Sequence, residues 1–473
     1  MSPVSERAAQ VRFRRALSLM AMTLVAPGSA QLVAGNRKVG TVAFRCWLGL
    51  LAVGATLVVV VLVDHSIAIR IATNTTLLFW FKLALILGAV AWAALIVDAW
   101  RIGAPLSYGL SQRRATVGVN GVLCFSVAGV MLFSAHVVGV QRDLMLALFT
   151  DGPASSAHDG RYNVLLMGGD SGAGRWGLRP DSMTIASIDA ETGRTVLIGL
   201  PRNMEHFPFA DGSVMDKQFP DGFVGCAGDD PCYLNGVSTW AGDHTDLFAG
   251  SKNPGTDATI SAIEGVTGLT INYWAMVNLE GFKDLVDAVG GVTLNVRQAI
   301  PVGGLGDDVT SYIDPGTRRL NGFQTLWYAR AREGSDDYSR MARQKCVMNA
   351  MLEQISPTSA VRHFQDIAKA SAAMISTNIP TSAVADFVAL ALKAKSQKIS
   401  TLSLVPPMIV TSEPDIDLIQ REVAEAISKA EGTATKAPTR KKKAGDGAVT
   451  GGSLGTLADG YAANQADDLD ATC

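Results

Sequence analysis

The sequence predicts an α/β domain, a central mixed sheet flanked by helices, following an N-terminal bundle of transmembrane helices. Three observations carry this. Apolar residues crowd the first 140 of the 473 positions, although the whole chain is only 48% hydrophobic. Within that region three apolar runs each approach the ~20 residues that a helix needs to cross hydrocarbon. Beyond residue 160, short apolar runs of strand type alternate with longer stretches of helical spacing, which is the pattern of an α/β sheet.

The spans come first. Residues 47–63 are uninterrupted by charge, 76–97 are broken only by Lys82, and 117–140 carry His136 near their end. A fourth run, 16–34, contains Pro27-Gly28 and Gln31, and reads either as a full span or as a re-entrant or interfacial segment. Basic residues sit in alternate loops: Arg37, Lys38 and Arg45 before the first span, Arg101, Arg113 and Arg114 between the second and third. The loop at 64–75 holds only Arg70. The basic loops belong in the cytoplasm. Three spans then put everything after Val140 outside, in a multi-pass membrane protein with an extracytoplasmic domain. Domain boundaries follow: membrane domain 1–140, polar linker 141–160, outer domain 161–430, and a Gly-, Ala- and Asp-rich disordered tail 431–473.

The outer domain opens with strands expected at 163–167, 183–188 and 195–200. Glu191-Thr192-Gly193 makes a hairpin of the last two. Helices are expected at 279–289, 339–355, 383–395 and 417–430, and further strands at 292–296 and 402–405. Cysteines agree with an outside location. Cys226 and Cys232 bracket a short turn-rich loop that a disulfide would close, with Cys346 and Cys473 as a second candidate pair.

Several chemistries fail on the sequence. A net charge of −2 gives no handle for nucleic acid. Gly172-Ala-Gly-Arg-Trp-Gly177 fits a dinucleotide fingerprint in letters, but a second strand rather than a helix follows it. The outer histidines, His158, His206, His244 and His363, have neither zinc nor triad spacing.

What stands out is arginine with aspartate. Arg330, Arg332, Arg340 and Arg343 fall within YARAREGSDDYSRMARQ. On a helix, Arg340 and Gln344 share a face. If 330–332 is extended, Arg330 and Arg332 point to one side. Arg179 and Arg202 lie at strand edges elsewhere. Guanidinium groups so arranged suit phosphate oxygens; the alternative is a wet patch of salt bridges with Glu333, Asp336 and Asp337. Asp170 and Asp181 fall at the end of one strand and the start of the next. Two carboxylates among arginines suit Mg2+ bridging to pyrophosphate, with Mn2+ as a substitute.

GGDS at 168–171, LRPDSM at 178–183, GLPRN at 199–203, GGVTLNV at 290–296 and LNGFQTLWYARAR…DDYSRMARQ at 320–344 together resemble the LytR-CpsA-Psr family, in order and in spacing. The resemblance covers about residues 162–430. It implies a phosphotransferase that moves a glycopolymer from a polyprenyl-pyrophosphate carrier onto peptidoglycan, at the surface of the lipid bilayer, with the prenyl chain in an apolar tunnel. It also implies roles: Asp170 and Asp181 for the metal; Arg179, Arg202, Arg330, Arg332 and Arg340 for phosphate, with Gln344 beside them; Arg202 and Asp181 for catalysis. Two departures stand out. Asn203 occupies a position that is often Asp in the family, and the several N-terminal spans exceed the single anchor common there. Two other functions use the same residues: a non-catalytic polyprenyl-phosphate sensor, and a polyprenyl-pyrophosphate pyrophosphatase. The paired aspartates favour an enzyme, because a binder has little use for them.

Overall fold

The computed structural model describes residues 3–63, 65–107, 109–150, 152–170, 179–225, 233–304, 308–332, 336–354, 375–432 and 464–473. The chain forms two compact units, Met1–Leu146 and Ala147–Cys473.

In the first unit, among the described residues, three helices are long and apolar enough to cross a membrane: Arg37–Val63, Thr75–Ser107 and Leu110–Leu148. The segment before them is broken. A helix over Pro3–Val25 stops at Pro27-Gly28, and a short helix, Ser29–Ala34, follows. Gly28 has φ +91°, and a Cβ there would lie 2.7 Å from the Gly40 carbonyl, so the turn requires glycine. Beyond the break, the buried Gln31 amide donates to the Leu95 carbonyl at 3.0 Å and to Asp98 at 3.2 Å.

The second unit is built on strands β1 (Arg161–Asp170), β2 (Arg179–Asp189), β3 (Thr195–Leu200), β4 (Tyr273–Asn278), β5 (Val292–Val296), β6 (Ile300–Gly303), β7 (Val309–Ile313), β8 (Gly316–Leu320), β9 (Ile375–Thr377) and β10 (Ile399–Ser403). Six form one sheet in the order β10-β3-β2-β1-β4-β9. It is mixed: β1 pairs antiparallel with β2 and parallel with β4, while β3 pairs antiparallel with β2 and parallel with β10. The expected β2–β3 hairpin forms, its turn held by the Asp189 carboxylate, which accepts from the Thr192 N–H at 2.7 Å.

Side chains alternate across these strands, so each face of the sheet reads every second residue. Leu165, Met167, Met183, Ile185, Ile198 and Met276 enter the main core, covered by helices Pro254–Thr267 and Ile416–Glu431. The opposite face carries two cross-strand rows, Thr184-Leu166-Ala275 and Ser182-Gly168-Val277. Over that face lie residues of helices Leu279–Ala288, Gly322–Arg330 and Asp337–Gln354.

Four expectations need correction. β4, an interior strand between β1 and edge strand β9, went unread, because Tyr-Trp-Ala-Met-Val-Asn does not alternate polar with apolar and no turn residue separates it from the helix that follows. The strand placed at 402–405 runs Ile399–Ser403 instead. The 330–332 segment is not extended throughout, since Arg330 is the last residue of a helix whose Asn321–Gln324 capping box sets its start. The tail expected to be disordered over 431–473 returns to the domain at its end: Asn464–Cys473 packs on it, and Cys473 is bonded to Cys346 with Cα atoms 5.5 Å apart.

Candidate functional site

The face carrying Leu166, Gly168, Thr184, Ala275 and Val277 does not pack solidly against the helices above it. A cavity of about 280 Å3 lies between them. Helical spacing explains its chemistry. Leu279, Phe282 and Leu285 line it from one helix, and Arg340, Gln344, Val347, Met348 and Met351 from another. On that second helix one stripe changes from charged to apolar along its length, so the cavity has a polar end and a greasy interior.

The polar end gathers residues from three chain segments. Asp181 lies in β2 where the register with β1 shifts: Gly168 pairs with Ser182 but Gly169 pairs with Pro180, which makes Asp181 an extra residue in a β-bulge. Bulges re-aim side chains, and this one turns Asp181 to the rim. At Gly168 beside it, a Cβ would lie 2.7 Å from the Ser182 hydroxyl, which would have to rotate away. Arg202 follows β3, its carbonyl accepting from the Asn235 N–H at 3.1 Å. Arg330 and Arg332 close the Gly322–Arg330 helix and the step after it. Arg340 and Asp337 lie one turn apart near the start of the next helix, which Asp336 caps by accepting from the Ser339 N–H at 2.8 Å.

These groups form one network. Arg202 Nη1 donates to Asp181 Oδ1 at 2.7 Å, and its Nε lies 3.5 Å from Asp337 Oδ1. Arg340 Nη2 donates to Asp337 Oδ2 and to the Asp181 carbonyl, each at 3.0 Å. Arg332 Nε sits 3.9 Å from Asp337 Oδ1. Arg330 lies over the Trp327 ring, 5.8 Å from its centroid, and lines the cavity. Gln344 also lines it while donating to the Ala329 carbonyl at 3.2 Å.

Four guanidiniums therefore meet two carboxylates, and the rim is net positive. Burial pushes the Asp181 carboxyl up, but the Arg202 hydrogen bond and the fields of Arg202, Arg340 and Arg332 outweigh it and hold it below the usual aspartate range. Burial depresses Arg340 to about 10 and lowers Arg332, and both remain charged at neutral pH. Within this network of described residues three buried atoms lack hydrogen-bond partners: Arg332 Nε, Arg340 Nε and Asp337 Oδ1. Two vacant donors on arginines at a positive rim suit an anion with several oxygens.

The structure thus gathers Asp181, Arg202, Arg330, Arg332, Arg340 and Gln344 at one cavity. Asp170 ends β1 and Arg179 starts β2, paired across the ladder beside the bulge, but their side chains lie outside the described residues. Cys226 and Cys232 also lie outside them. Sequence reasoning passed over Asp337, taken only as a surface salt-bridge partner, although it touches three of the arginines. Its spacing of three before Arg340 was the available signal.

The LytR_cpsA_psr family model matches residues 145–428. Biofilm regulatory protein A of Streptococcus mutans is 27% identical over 229 residues, 47% of this chain and 50% of its own length. Polyisoprenyl-teichoic acid–peptidoglycan teichoic acid transferase TagU of Oceanobacillus iheyensis is 30% identical over 204 residues, 42% of this chain and 53% of its own. The chain spans about half the length of the curated relatives it matches. Among solved structures, Bacillus subtilis TagV is similar with 23% identity and a TM-score of 0.42, covering 59% of this chain and 100% of that one.

Proposed function

The chain belongs to the LytR_cpsA_psr family, and from that premise we propose that it is a membrane-anchored transferase that moves a glycopolymer from a polyprenyl-pyrophosphate carrier onto peptidoglycan. One observation carries the reading: an apolar cavity opens at a rim lined by Arg330, Arg332 and Arg340, with Arg202 bonded to the lining residue Asp181, which is the shape of a prenyl chain ending in phosphate. The printed name of the TagU relative, with a polyisoprenyl-linked donor and a peptidoglycan acceptor, supports it. So do the helices long enough to hold the chain in a bilayer. In this reading the loops rich in Lys and Arg face the cytoplasm and the second unit faces the wall.

The apolar stripe from Val347 to Met351 and the Leu279–Leu285 face hold the prenyl chain. Arg202, Arg330, Arg332 and Arg340 hold the pyrophosphate. A wall hydroxyl attacks the sugar-proximal phosphorus. A new P–O bond forms, the bridging P–O bond breaks, and prenyl monophosphate departs with the electron pair, carrying the hydroxyl proton in the net reaction. The arginines neutralise the charge that gathers on the departing phosphate, and their preset geometry spares reorganisation. Asp181 is held ionised and orients Arg202.

The donor set suits Mg2+, with Mn2+ as a substitute. Asp181 in its bulge lies beside the ladder pair that ends at Asp170. One or two carboxylates with substrate phosphate oxygens is a common Mg2+ arrangement. Asp170 and Asp181 would hold the ion, which would supply further charge neutralisation at the pyrophosphate.

The test is reconstitution of the full-length protein with a lipid-pyrophosphate-linked saccharide and peptidoglycan, reading wall-bound sugar and released prenyl monophosphate. Transfer that is abolished by EDTA and restored by Mg2+ is expected. Monophosphate release without wall-bound sugar would mark a pyrophosphatase, binding without either product would mark a sensor, and full activity in EDTA would remove the metal.

A further inference from the structure

Arg330, Arg332 and Arg340 are not alone in their segment. Arg343 lies between Arg340 and Gln344 in sequence, yet it faces away from the rim and has no exposed surface. Its guanidinium bonds backbone instead. Nε donates to the Tyr328 carbonyl at 2.7 Å, and Nη2 donates to the Ala331 carbonyl. Next to it, Gln344 Nε2 donates to the Ala329 carbonyl. All three acceptors lie where the Gly322–Arg330 helix ends, and the last carbonyls of a helix have no partner within it. Arg330 and Arg332 grow from this same stretch.

We infer that Arg343 is a positioning residue, whose buried fork fixes the backbone of 328–332 and thereby aims Arg330 and Arg332 at the phosphate end of the cavity. The inference rests on the lipid-pyrophosphate reading above. The physical reason is rigidity. Nε and Nη2 belong to one planar group, so the two carbonyls they hold are kept at a set separation, on either side of Arg330. The chain turns sharply between them: Ala331 leaves the helix with φ −53° and ψ 133°. Without the fork this turn loses both of those bonds, and two flexible side chains would meet pyrophosphate from a looser base. A lysine at 343 keeps the charge but reaches as a point donor and does not span both carbonyls. Burial depresses Arg343 only to about 10, so it stays a full donor at neutral pH.

A purely structural role and a positioning role differ in which ligand suffers. Most of the apolar wall comes from Leu279–Ala288, the far end of Asp337–Gln354 and the sheet, while the helix whose end Arg343 holds adds Leu326 and Ala329. Binding to the full-length protein in detergent is therefore measured with two probes of equal chain length, a prenyl pyrophosphate and the corresponding uncharged prenol. Arg343→Lys should weaken the pyrophosphate by roughly tenfold or more while changing the prenol by less than about twofold. The loss should vanish in an Arg330→Ala/Arg332→Ala background, because the residue acts through those two. Arg343→Met, checked for folding by circular dichroism, should repeat the pattern. Equal loss of both probes, an undiminished effect in the double-alanine background, or wild-type affinity in the Lys variant would each overturn the inference. Wild-type protein that does not prefer pyrophosphate over prenol would instead overturn the functional reading beneath it.

Discussion

Asp337 shows how much one side chain decides at this site. Its two oxygens face Arg202, Arg332 and Arg340, and among the described residues it is the carboxylate that lies within ion-pair distance of all three. Replacing it by Asn keeps the shape but removes the charge that spaces the arginines. Misplacement of about 1 Å is enough to cost ~100-fold in rate. Asp337→Asn should therefore cut prenyl monophosphate release by roughly 10- to 100-fold; turnover within twofold of wild type would reduce Asp337 to a bystander. Lys345 makes the opposite case. It is buried on the same helix, packs over Gly199 and donates to the Ser403 hydroxyl, a neutral partner that does not repay its charge. Burial lowers it to about 7. Its folded value lies below its unfolded one, so the penalty is complete below about pH 7 and relaxes as pH rises toward 10.5. Lys345→Met should then raise the melting temperature, a gain on the order of 1–4 kcal/mol at pH 6 that shrinks by pH 9. Melting curves at the two pH values check it, and destabilisation at pH 6 would show that the ammonium is better compensated than its burial suggests.

Among elements, the last ten residues do more than a tail. The Ala466 carbonyl accepts from the Thr401 N–H at 2.7 Å, which covers part of edge strand β10, and Asn464 accepts from Ser403 at 2.8 Å and donates to the Tyr338 carbonyl at 2.9 Å. The Cys346–Cys473 bond ties this segment to the helix that carries Arg340, across 127 residues of sequence. Cross-links over loops of that size contribute about 2–5 kcal/mol. Cys473→Ser should lower stability by that amount in denaturant titrations under oxidising conditions and leave the reduced protein unchanged; equal stability of the two oxidised proteins would contradict it. The comparison also shows what sequence makes legible. Short apolar runs bounded by turn residues gave β1 to β3 and their hairpin, and period-3.6 spacing gave the Arg340–Gln344 stripe. β4 has no alternation either, and it runs straight into the helix at Leu279 with no turn residue between them to mark its end. The Arg330 helix escaped because nine residues offer few turns over which to see a period. The bulge at Asp181 is a register shift between two strands, and no single segment encodes it. The closing role of Cys473 lay in cysteine counting but not its depth of contact, since the preceding stretch has no apolar pattern.

On the scale of the whole molecule, a membrane-length helical unit precedes a domain whose cavity is apolar inside and cationic at its rim. In the proposed function this cavity, and not the surface of the membrane helices, receives the lipid carrier, and photolabelling decides between the two. The full-length protein in detergent is irradiated with a prenyl pyrophosphate carrying a diazirine midway along the chain, and the labelled peptides are mapped by mass spectrometry. The account predicts labels on Phe282, Leu285, Val347 or Met351, competed away by unlabelled prenyl pyrophosphate and lost in Arg202→Ala. Labels confined to residues 1–146, or cavity labels indifferent to competitor and to Arg202→Ala, would contradict it.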